Sequence, residues 1–194
     1  MSRSLLGPYR LRPILLCSVQ QQEAVRSLRN EPSVRSAMYA DHVISVEEHQ
    51  RWLQGLERDD RRATFVVLGA SGGVAGLASL TAIDHTHRTA DWGFYMGPSA
   101  PAGLGSAVLS QIIGYAFGSL GLEKINGEVI EGNAASLGVH HKLLFQDEGF
   151  RRSQVRREGG RLGVHLLGLT LEDWRKGAPR LAAAKHEVAI DLAE

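Results

Sequence analysis

With a single cysteine in 194 residues, Cys17, the chain has no means of closing an intramolecular disulfide. Its neighbours are apolar and no histidine stands nearby, which marks Cys17 as a buried structural thiol rather than a nucleophile. Long apolar runs are also missing. The longest near the start, Ile14 to Cys17, is too short for a signal peptide or a membrane span, so no membrane partner is expected and the expected location is the cytoplasm. An excess of one charge is lacking too: 22 basic against 21 acidic residues leave a net charge of +1, which gives no reason to expect nucleic acid. Neither common phosphate loop occurs. There is no GxxxxGK followed by Ser or Thr, and GxGxxG would need glycine where Val108 stands. Asp84, His85 and His87 have no fourth ligand at a fitting spacing, so no metal is expected.

What is present, 43% apolar and 22% charged residues without repeat or linker, suits one α/β domain with a full core over residues 1–176. The remainder, 177–194, is Ala-rich and carries no motif; it reads as a loose helix or disorder. The chain is organised around Asp91 to Phe117, a strand, a glycine-rich turn and a helix. Along the strand, Trp92, Phe94 and Met96 alternate with Asp91, Gly93 and Tyr95. In the helix, Leu104, Val108, Ile112, Tyr115 or Ala116, and Leu120 form one apolar face. Between them, Ala102-Gly103-Leu104-Gly105-Ser106 lets the backbone approach a ligand and points the free N–H groups of the first helical turn at it.

Before this unit come a short strand at Tyr9 to Pro13, ending at a sheet edge, and a helix from Val19 to Arg29. A second helix starts at the capping box Ser45-Val46-Glu47-Glu48, and two strands, Thr64 to Leu68 and Val74 to Ile83, are joined by a hairpin turn. After it come a strand at Lys124 to Glu131, a helix capped by Asn133, and a hairpin of Phe150 to Arg157 with Arg161 to Thr170.

This order, with the loop spacing at Ala100 to Gly105, resembles the GNAT superfamily of N-acetyltransferases, which implies a mixed, mostly antiparallel central sheet flanked by helices. Segments such as Leu28 to Pro32, Ile44 to His49, Ala90 to Tyr95 and Leu122 to Asn133 are similar to the PseH branch, which acetylates the 4-amino group of a UDP-linked amino-deoxysugar in pseudaminic acid biosynthesis. The resemblance implies acetyl-CoA as co-substrate, held along Phe94, Tyr95 and Met96, over Gly103, Leu104, Gly105 and Ser106, and against Asn133 and Ser136. It implies Glu128 as the base that takes the amine proton. His140 stands where the superfamily has a tyrosine that protonates the CoA sulfur, and is the candidate acid. Ala100 replaces the usual basic or amide residue of the loop, which leaves more of the anion binding to the backbone.

For the acceptor, the resemblance implies Arg29 and His49 against the nucleotide, and Met38, Tyr39 and Trp52 around the sugar, with Trp92 or Tyr95 completing the pocket. The chemistry agrees: pyrophosphate favours arginine, and a deoxysugar favours Met and aromatic walls. A protein N-terminus, a ribosomal protein or a polyamine is the alternative acceptor. A different reading takes Arg151, Arg152, Arg156, Arg157 and Arg161 as an RNA-contacting face of a non-catalytic module; the net charge favours instead a local face for CoA phosphates or for a subunit contact in a homodimer.

Overall fold

Apolar residues on both faces of a strand demand cover on both sides, and Ala63–Leu68 (β2) shows this directly: Phe65 to Leu68 are each at most 2% exposed. The computed structural model describes residues 9–178, 181 and 186–193. Around β2 lie Tyr9–Pro13 (β1), Val74–Asp84 (β3) and Thr89–Met96 (β4). Lys124–Ile130 (β5), Gln146–Arg157 (β6), Gly160–Thr170 (β7) and Val188–Ile190 (β8) complete one sheet in the order β6-β7-β5-β4-β3-β2-β1-β8. Pairing is antiparallel except at β4 with β5 and at β1 with β8. This is the mixed, mostly antiparallel sheet expected.

Helices cover both faces. Leu104–Gly118 (α4) packs on the larger core with Phe65, Val67, Leu80 and Trp92, and Ala134–Lys142 (α5) adds Leu137 and Val139 to it. On the opposite face, Val19–Arg29 (α1) and Val46–Leu56 (α3) bring Val25, Trp52, Leu53 and Leu56 against Val66, Leu68 and Leu77. Period-two alternation in β2 thus sends Phe65 and Val67 one way and Val66 and Leu68 the other. Each such side chain contributes roughly 1.5–3 kcal/mol when fully buried. The α4 expectation of one apolar face was too narrow, because Leu109, Ile113 and Phe117 are buried as well as Leu104, Val108 and Ile112. Wedged at the sheet centre, α4 is apolar almost all round. The short Pro32–Arg35 (α2) and Leu171–Gly177 (α6) finish the helices. No helix among the described residues is long and apolar enough to cross a membrane.

The tail differs from its sequence reading. Residues 179–180, 182–185 and 194 lie outside the described residues, but Val188–Ile190 forms β8, parallel to β1, with Val188 buried and Asp191 in a 2.7 Å ion pair with Arg12. Consequently β1 is not a sheet edge. A three-residue strand is too short to show periodicity, and its partner is almost the whole chain away.

Candidate active site

β4 and β5 pair through only three positions, Thr89↔Lys124, Ala90↔Ile125 and Asp91↔Asn126. Beyond them β4 stays with β3 as far as Met96, and β5 stays with β7 as far as Ile130. The sheet opens there into a wedge, and the facing backbone of both strands has no strand partner inside it among the described residues. A cleft of about 660 Å³ occupies the opening, lined by Trp92 to Met96 on one side, by Glu128, Val129 and Ile130 on the other, and by Gly105, Asn133, Ser136 and His140 from the helices.

At the narrow end Trp92 Nε1 donates to His140 Nε2 at 3.0 Å, and the Trp92 ring stacks on Phe145 at 4.6 Å. Gly127 makes this possible: a Cβ there would lie 2.7 Å from His140 Nε2 and 3.0 Å from Trp92 Nε1. His140 Nδ1 donates to the Ser136 carbonyl at 2.8 Å. With Nε2 accepting and Nδ1–H donating, the ring is the neutral form, and burial at 2% exposure pushes its pKa below the ordinary histidine value. Its one proton is committed to Ser136. In this geometry the proton expected of His140 as the acid is directed at Ser136 and not into the cleft, and the two bonds of the ring tie Trp92 to α5.

At the other end Gly103 is the N-cap of α4 with φ 91°, a left-handed conformation that favours glycine. Leu104 N bonds Pro101 O and Ala107 N bonds Gly103 O, while the Gly105 and Ser106 amides take no backbone acceptor among the described residues. A Cβ on Gly105 would meet only Met96 Cγ at 3.7 Å, so the space over these amides is open. Two unpaired donors at the start of a 15-residue helix fit a diphosphate. Lys142 Nζ reaches Ser106 Oγ at 3.3 Å and brings to the loop the positive charge that Ala100 does not. Asn133 caps α5 through its side-chain oxygen, which accepts from the Ser136 amide at 3.1 Å.

A further wall of the cleft is formed by Met38 and Tyr39, on the segment between α2 and α3. The Tyr39 hydroxyl donates to Glu128 Oε2 and Arg151 Nη1 donates to Glu128 Oε1, so each carboxylate oxygen has one partner. Burial first, and the Glu128 carboxylate second, push the Tyr39 pKa up to about 12. Arg157 fixes the same segment, donating to the carbonyls of Met38 and, at 3.1 Å, Tyr39. Two of the hairpin arginines, Arg151 and Arg157, thus reach the site, whereas Arg161 donates to the Ser153 carbonyl within the hairpin. Lys142 was not singled out from the sequence, and Arg151 and Arg157 were read only as part of a basic hairpin face; their contacts with Glu128 and the Met38–Tyr39 segment were not legible, because these partners are 23 to 119 residues away.

Three expected acceptor residues lie outside the cleft. His49 is 6% exposed, with Nε2 donating to Gln22 O at 2.9 Å and its ring 5.3 Å from Trp52, and burial lowers its pKa. Trp52 packs with Ile14, Cys17 and Val25 on the second face of the sheet. The apolar face of α3 is consumed in covering that face. Arg29 donates from Nη2 to Ala40 O at 2.6 Å and so braces the segment carrying Met38 and Tyr39 from behind. Trp92 and Tyr95 both border the cleft, although the strand alternates them: Trp92 packs with the larger core, Tyr95 with the smaller.

Residues 11–146 match the family described as the acetyltransferase (GNAT) domain. The chain belongs to the GNAT family. It is an acetyl-transferring enzyme of a family that uses acetyl-CoA. Acetyltransferase PseH of Campylobacter jejuni is 27% identical over 126 residues, 65% of this chain and 77% of that protein. Spermidine N(1)-acetyltransferase of Vibrio cholerae is 24% identical over 126 residues, 64% of this chain and 73% of that protein. A spermidine N-acetyltransferase from Vibrio cholerae, solved in complex with CoA and spermine, superimposes with a TM-score of 0.79 at 20% identity over 86% of this chain and 98% of its own. That likeness shows the fold.

Proposed function

We propose that this GNAT enzyme acetylates the amine of a small anionic acceptor, a UDP-linked amino-deoxysugar, using acetyl-CoA. The observation that carries the reading is Glu128, a carboxylate in the wedge held by Tyr39 and Arg151 between an apolar acceptor wall and the N-terminus of α4. Acetyl-CoA, when bound, supplies the acetyl group as a thioester. The Gly105 and Ser106 amides with Lys142 would hold its diphosphate, and Asn133, Ser136 and the open edge of Phe94 to Met96 its pantetheine arm. Glu128 accepts the amine proton on an oxygen lone pair that Tyr39 and Arg151 leave free; the amine nitrogen would then bond to the thioester carbon as its C–S bond breaks, and CoA would leave as a thiolate that takes its proton from solvent.

The acceptor class follows from the walls and the charges. Val34, Ala37, Met38 and Phe94 give an apolar surface suited to a deoxysugar methyl group. Arg29 and Arg35, on the neighbouring α1–α2 segment, donate to the Ala40 and Asp41 carbonyls and add positive charge beside the acceptor wall without lining the cleft. A polyamine is the second reading, favoured by the two carboxylates Asp91 and Glu128 in the cleft; Arg151 neutralises one of them. Acetyl-CoA consumption measured with UDP-4-amino sugars against spermidine separates the two. Turnover is expected with the nucleotide sugars, and faster turnover of spermidine would replace the first reading by the second.

A further inference from the structure

The match to the family covers residues 11–146, yet a buried histidine far beyond it touches the loop at the head of α4. His186 is 4% exposed and its Nε2 donates to the Ala102 carbonyl at 3.1 Å. Ala102 and Gly103 share one peptide group, so a donor fixed on that carbonyl fixes the plane, and hence the direction, of the Gly103 N–H. Gly103 is also the left-handed N-cap from which the Gly105 and Ser106 amides are presented. A glycine there is the residue best able to rotate its peptide planes, and an outside anchor removes that freedom.

The anchor is itself well held. Two residues on from His186, Val188 enters β8, which pairs with β1 in the register Tyr9↔Val188, and the Tyr9 amide bonds Glu187 O at 3.0 Å. The Tyr9 ring meets the His186 ring edge-on at 5.8 Å. His186 Nδ1 is buried with no partner among the described residues, so the ring's one polar bond is the bond to Ala102.

We infer that His186 is a positioning residue for the cofactor loop: through the Ala102 carbonyl, the C-terminal segment sets the amides at the head of α4 for the CoA diphosphate. This rests on the reading that those amides bind CoA. The test is CoA binding by calorimetry to the full chain and three variants, each with its thermal unfolding recorded. His186→Phe keeps a ring against Tyr9 and removes the donor; CoA should bind roughly five- to tenfold more weakly, the worth of one hydrogen bond. His186→Gln offers an N–H at similar reach and should restore most of the affinity. Gly105→Val fills the space over the amides and should bind CoA far more weakly than either. If His186→Phe binds CoA like the parent while Gly105→Val does not, or if Phe and Gln weaken binding equally, the anchoring role is wrong and the loop assignment stands. Parental affinity in Gly105→Val would overturn the loop assignment and this inference with it.

Discussion

Glu128 is the residue on which the proposed chemistry turns. A positioned general base is typically worth ~10² to 10⁴ in rate. Glu128→Gln keeps the size and one accepting oxygen, which can face Arg151 while the new amide NH2 donates to the Tyr39 hydroxyl, and it removes the basic oxygen. A fall in kcat of about that size is expected, with a modest change in acceptor KM and a deficit that shrinks at high pH, where solvent deprotonates the amine. Steady-state rates across pH decide it: a variant with full kcat throughout would falsify the role. From the sequence, Glu128 was named only through the family resemblance, and the structure places its side chain in the cleft. Its two partners were not legible as such, since Tyr39 and Arg151 reach it from segments 89 and 23 residues away. His140 shows the converse. Its position on the helix after Asn133 was legible, but whether it has a proton to give depends on Trp92, 48 residues distant, and on a carbonyl one turn back.

At the scale of elements, local patterns decided starts better than ends or partners. Ser45 accepts from the Glu48 amide as its SxxE pattern requires, but the Glu48 carboxylate turns to His42 instead of back to the Ser45 amide, so the box is half made. The SxxQ run at Ser18, which was not singled out, forms both bonds of a capping box. The head of α4 is the element with the largest functional consequence. Gly103→Val would place a β-branched residue at φ 91°, a strain of about 1–2 kcal/mol, and would turn the first free amides away from the cleft. The expected outcome is a lower melting temperature together with CoA binding weakened at least tenfold. Parental CoA affinity in a folded Gly103→Val protein, read by calorimetry, would exclude the head of α4 as the anion site.

For the whole molecule, the buried His49 and His140 contribute to how stability responds to mild acid. In the unfolded chain both His49 and His140 titrate near ~6.5, whereas burial holds them neutral to lower pH in the fold. Below about 6.5 the unfolded chain binds more protons, so stability is present in full above that pH and is lost as pH falls. Urea unfolding between neutral pH and mild acid should show this loss, and His140→Phe, though less stable overall, should show a shallower one; equal slopes would mean that His140 does not carry it. The sequence by itself determined the alternation that buries β2 on both faces, the glycine loop before α4, and the order of elements that makes a GNAT fold. These are local: propensity and period act within a few residues. Tertiary structure alone decided that β4 and β5 part after three pairs to open the cleft. It decided also that Arg151 and Tyr39 share Glu128, that His140 is held neutral, and that the tail returns as β8 with His186 on the loop. Each of those depends on atoms brought together across long stretches of chain, where the contact exists only once the sheet has formed.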